Sequence, residues 1–103
     1  DAALKINPMF AEVINNKGAV FENMGNTEAA MTQYLLAIAA NAEFSDSYYN
    51  AAKLYCVQGL LELAESYLDS AIQKDPDCLL EAIEDDNLGW LLDMQEIRDT
   101  PIT

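Results

Sequence analysis

The residue types that carry most enzyme chemistry are scarce in this 103-residue chain. There is no histidine, which removes imidazole general bases, serine–histidine–aspartate and cysteine–histidine arrangements, and most zinc sites. Cys56 and Cys78 are the only cysteines, too few for a four-thiolate site or a disulfide framework. Cys56 has no histidine to activate it, and its helical position predicts a half-buried thiol. The glycines stand apart at 18, 25, 59 and 89, so no glycine-rich loop cradles a phosphate. Asp75, Asp77, Glu81, Glu84, Asp85 and Asp86 suggest calcium, but Leu80 sits where a loop starting at Asp75 needs glycine. No catalytic residue, metal or cofactor is expected. What remains is recognition chemistry, sharpest at Asn16 and Asn50. They lie 34 residues apart, and each amide offers donor and acceptor together.

Charge narrows the partners. The formal net charge is −13, and residues 61–103 alone carry twelve acids against two bases. Such a field repels nucleic-acid phosphates and anionic lipid. Neither nucleic acid nor membrane is an expected partner. A basic protein surface is compatible with it, beside the plainer reading of a solvated, solubility-promoting face. No apolar run approaches the ~20 residues of a membrane span. With two isolated cysteines, a reducing, cytoplasmic setting is the expectation.

The asparagines belong to a wider register. At a lag of 34, Ala3, Ala37 and Ala71 align, as do Leu4, Ile38 and Ile72, then Asn7, Asn41 and Asp75. Pro8, Ala42 and Pro76 follow, then Phe10, Phe44 and Cys78. Phe21 matches Tyr55, Gly25 matches Gly59, and Ala30 matches Ala64. Chance does not readily put small, aromatic and turn residues at one lag.

Each unit predicts two helices. Phe10, Ile14, Gly18 and Phe21 recur at helical spacing and predict a helix from about Met9 to Asn23. Gly25 can take positive φ and end it. Asn26 or Thr27 can cap a second helix running to about Ala40. The second unit predicts helices from about Ser45 to Gln58 and about Leu61 to Lys74, separated by Gly59. Asp75-Pro76 ends the last one, because proline disfavours helix in the residue before it. Small residues at Gly18, Ala30, Ala52 and Ala64 allow close helix approach, and Phe21 and Tyr55 fill the wider spaces.

These residues resemble the tetratricopeptide repeat family, whose period is 34 residues. Counted from Ala11 and Ser45, family position eight holds Gly18 and Ala52, and position eleven holds Phe21 and Tyr55. Position fifteen holds Gly25 and Gly59, position twenty Ala30 and Ala64, and position twenty-seven Ala37 and Ala71. Position thirty-two holds Ala42, where the family usually has proline, and Pro76. Lys17 stands where an apolar residue is usual. The resemblance implies an all-α fold, an α-α superhelix of antiparallel helix pairs. It implies one module: the end of a preceding repeat at 1–10, repeats at 11–44 and 45–78, a capping segment at 79–98 and a tail at 99–103. In the cap, Trp90 is expected to anchor to the core, and Asp85 or Asp86 to cap a short helix. The opening residues predict at least one further repeat upstream.

The resemblance implies a scaffold that binds protein or peptide along a groove lined by the first helix of each repeat. Carried over by position, the lining is Glu12, Asn15, Asn16, Ala19, Glu22 and Asn23, then Asp46, Tyr49, Asn50, Lys53, Cys56 and Val57. Asn16 and Asn50 at position six would grip a peptide's main chain, as in the repeats of the O-linked N-acetylglucosamine transferase. The plainer reading is that this position tolerates an exposed asparagine. The family's basic clamp for acidic chaperone tails is absent, since Asn15, Ala19, Leu80 and Glu84 replace its key residues. Two alternatives stand beside peptide binding. One is self-association or a structural role, including a homodimer through an exposed repeat face. The other is a docking arm of a larger enzyme such as a glycosyltransferase.

Overall fold

The computed structural model describes residues 8–99, which form six helices and no strand. They are α1 (Pro8–Asn23), α2 (Thr27–Ala40), α3 (Ser45–Val57), α4 (Leu61–Lys74), α5 (Asp77–Glu84) and α6 (Asp86–Asp99). α1 packs on α2, α3 on α4 and α5 on α6, and α2–α3, α4–α5 and α3–α6 contacts join the pairs. This is an all-α helical repeat. The stacking gives an elongated body, 54 × 32 × 20 Å, with two clusters in place of one central core. One gathers Ala30, Met31, Tyr34, Ala51 and Leu54; the other gathers Ala52, Ala64, Leu68, Ala82, Leu88 and Leu91.

The turns repeat nearly atom for atom. Gly25 and Gly59 have φ of +80° and +82°, a conformation that costs a residue with Cβ. Asn26 N–H donates to Phe21 C=O and Gly25 N–H to Glu22 C=O, at 2.9 and 3.0 Å. Leu60 N–H and Gly59 N–H do the same to Tyr55 and Cys56, again at 2.9 and 3.0 Å. Both are Schellman closures, which satisfy the last carbonyls of the first helix. At the other ends, Asn41 and Asp75 accept from Glu43 N–H and Asp77 N–H through side-chain oxygens, at 3.0 and 3.1 Å. Asn41 thereby makes the turn that Pro76 supports in the next unit. The units differ at one cap: Asn26 Oδ1 accepts from Ala29 N–H at 3.2 Å, whereas Leu60 provides no side-chain cap to α4.

Inside each pair, size is balanced across the interface. A Cβ on Gly18 would lie 2.6 Å from Tyr34 Cε1. One repeat later the same two places hold Ala52 and Leu68, both fully buried. The smaller partner of the larger ring is a glycine, and close packing demands that exchange. Tyr34 also donates its hydroxyl to Glu22 Oε1 at 2.6 Å.

The chain after Pro76 departs from the expected cap in its helices and in the place of Trp90, and meets it in the Asp85 cap. It forms two helices, and the second, at 14 residues, is not short. The helix breaks at Asp85, which occupies the place that Ala51 fills with no exposure one repeat earlier. A carboxylate at such a site resists burial, and the chain turns it to use instead. Asp85 Oδ1 accepts from Asn87 N–H and Leu88 N–H, both at 2.9 Å, capping α6. Gly89 lets α6 start close to α5, since a Cβ there would meet the Ile83 carbonyl oxygen at 2.8 Å. Finally, Trp90 is not the anchor. It is 48% exposed, while Leu88 and Leu91 are fully buried, because the face of α6 that meets α3 runs through 88 and 91.

At the other end, α1 starts at Pro8, one residue before the expected start at about Met9. The expected last turns of a preceding repeat at 1–7 lie outside the described residues, as do 100–103 of the tail.

Candidate peptide-binding face

α1 and α3 meet through an amide pair. Asn50 Nδ2 donates to Asn15 Oδ1 at 3.1 Å. Asn15 is only 7% exposed, so it acts as a buried bridge between repeats and not as a ligand-facing residue. Asn50 is half-buried and keeps its amide oxygen for other partners, while Asn16 is exposed. Of the two register-matched asparagines, one is therefore partly committed inside the protein and the other is free to face solvent.

The other expected lining residues spread along this side. Glu12, Asn23, Asp46 and Val57 are exposed, and Ala19, Glu22, Tyr49, Lys53 and Cys56 are half-buried. Glu22 is occupied by the Tyr34 hydroxyl. Cys56 donates to Asn87 C=O at 3.5 Å, so α6 covers it. Lys53 places its ammonium 5.5 Å from the Tyr49 ring centroid. Asp46, Tyr49 and Asn50 of α3 and Glu81 of α5 enclose an open cavity of about 400 Å³. Glu81 was absent from the sequence-derived lining; only its register in a third first helix could have suggested it.

Burial, then the Asp85 and Glu81 carboxylates, push the Tyr49 phenol up to about 12. It stays a neutral donor at physiological pH. Burial and Asp85 raise the Cys56 thiol, and burial raises that of Cys78 against a lowering hydrogen bond from Ser45. Neither thiol is primed as a nucleophile. Among the described residues, no three cysteine, aspartate or glutamate side chains converge to hold a metal ion. No helix among them is long and apolar enough to cross a membrane.

No family model matches the chain. Over 77 residues, 75% of its length, it is 35% identical to human tetratricopeptide repeat protein 6. The chain belongs to the tetratricopeptide repeat family. It spans 15% of the length of that relative. Membership agrees with the paired helices and the duplicated turns, and α1, α3 and α5 are the first helices of the three pairs. The face just described is the one their exposed polar side chains share.

Proposed function

We propose that this module binds an extended segment of another protein along the face of α1, α3 and α5. The observation that carries the reading is the exposed or half-exposed polar row on adjacent first helices, with Asn16 exposed on α1 and Asp46, Tyr49 and Asn50 of α3 lining an open cavity. Membership in a helical-repeat interaction family supports it, and the reading assigns no catalysis to the chain. Asn16 offers a complete amide and Asn50 an amide oxygen, enough to hydrogen-bond a peptide main chain. The test is a peptide array probed with the chain and with Asn16→Ala/Asn50→Ala. The reading predicts capture by the first and loss of at least tenfold in signal by the second. Equal capture by both would remove the asparagines from the mechanism.

A second reading, self-association, has its own observation. Met9, Val13 and Val20 of α1 and Met24 just after it are 53–70% exposed along one side. The register-matched side of α3, through Ser47, Ala51 and Leu54, is buried against α2. A second copy of the chain covering α1 would remove that apolar stripe from water. Sedimentation equilibrium over concentration decides it. A dimer lost on Val13→Asp/Val20→Asp supports the reading, and a monomer at all concentrations ends it.

A further inference from the structure

We propose that the cavity between α3 and α5 receives a cationic side chain, arginine above lysine, so that the bound segment is a basic extended peptide. The inference rests on the peptide-binding reading and specifies its partner. Asp46 supplies one carboxylate from α3 and Glu81 another from α5, and the Tyr49 ring and Asn50 stand between them. Asn50 turns one amide N–H to Asn15 and keeps its oxygen as an acceptor beside the second N–H. The two carboxylates therefore favour a donor or a positive charge.

A cation already uses this surface. The Lys53 ammonium lies over the Tyr49 ring at 5.5 Å, within cation–π range. That intramolecular contact marks the ring as accessible to an ammonium or guanidinium, and it is a contact an incoming side chain would replace. A guanidinium suits the site better than a second ammonium. Its planar fork can bond a carboxylate and stack on an aromatic ring at once. Asp85 adds to the field, since its carboxylate and that of Glu81 both act on the Tyr49 phenol. An acidic or phosphorylated segment would be repelled by these carboxylates.

The probe is a fluorescein-labelled glycine–serine peptide carrying spaced arginines, beside a counterpart with glutamine at the same positions. Fluorescence anisotropy measures their binding to the full chain. The arginine peptide is expected to bind about tenfold more tightly. Asp46→Asn/Glu81→Gln should abolish that margin. Glu28→Gln/Glu62→Gln, which removes the same charge from exposed positions on α2 and α4, should change it less than about twofold. Lys53→Met should tighten arginine binding, because the internal competitor is gone. Circular dichroism on each variant shows whether the helices persist, and the glutamine variants differ little in shape from the parent. Equal losses in the two double variants would reduce the preference to bulk charge and overturn the proposal. Binding of both peptides alike, abolished by Asn16→Ala/Asn50→Ala, would overturn it while leaving the peptide-binding face in place. If neither peptide binds and the array is blank, both readings fall.

Discussion

The Ser47 hydroxyl is fully buried and has no hydrogen-bond partner among the described residues. An orphaned polar group costs its desolvation and returns nothing. Ser47→Ala is expected to stabilise the chain by about 1 kcal/mol in urea unfolding; a loss of stability would mean that the hydroxyl is satisfied in solution. Gly18 gives a sharper test. Gly18→Ala gains helix propensity but drives a Cβ into the Tyr34 ring, for a net cost of about 2 kcal/mol. Adding Tyr34→Leu reproduces the Ala52/Leu68 arrangement of the next repeat. The double variant should recover about 1 kcal/mol relative to additivity. Tyr34 also sets an alkaline limit. Burial, then the Glu22 hydrogen bond and charge, raise its phenol well above the ordinary value of 10.0. The folded state then holds a proton that the unfolded chain releases near pH ~10. This stabilisation is complete below that pH and falls away as pH climbs toward the folded-state value. Unfolding free energy should decline above about pH 8, first through the raised Cys56 and Cys78 thiols and then through Tyr34, and Tyr34→Phe should make the decline above about pH 9 shallower.

At the scale of elements, α6 depends on a cap made by a residue that breaks α5. Asp85→Ala removes two hydrogen bonds to the first turn of α6 and is expected to cost about 1 kcal/mol. The single tryptophan, Trp90, lies on α6, so its emission should lose cooperativity earlier in denaturant than the helical signal. Asp86→Ala is the control, expected to change stability by less than about 0.5 kcal/mol. If the two variants behave alike, the cap is not what holds α6. The break also redirects the chain: α6 packs on α3 and covers Cys56, which the repeat register had placed on the binding face.

At the scale of the molecule, the net charge of −13 is spread over a thin, elongated body. Its self-repulsion is screened by salt. Thermal stability is expected to rise between low salt and about 0.5 M sodium chloride, with most of the gain below about 0.15 M, where the Debye length changes fastest. An unchanged midpoint would mean that the acids are too far apart to couple. The same field favours basic partners over acidic ones, whichever residues grip them.

The repeat, the helix pairs and their turns were legible in the sequence because they depend on local chemistry repeated at a fixed lag. Gly25 and Gly59 close helices through backbone geometry that a glycine signals by itself, and Asn41 and Asp75 make turns with their own side chains. The all-α fold and four of the six helices follow from such features. Contacts between elements were not legible in this way. Asn15 reads as an exposed member of the binding face, yet it is buried by Asn50 from the next repeat. Trp90 reads as an anchor by size, yet the angle of α6 turns Leu88 and Leu91 inward instead. Glu81 joins Asp46 and Tyr49 at one cavity only once α5 has settled in its place. Local propensity and periodicity act within a few residues and survive in the sequence. The face a side chain presents depends on how whole helices settle against one another, and only close packing in three dimensions decides that.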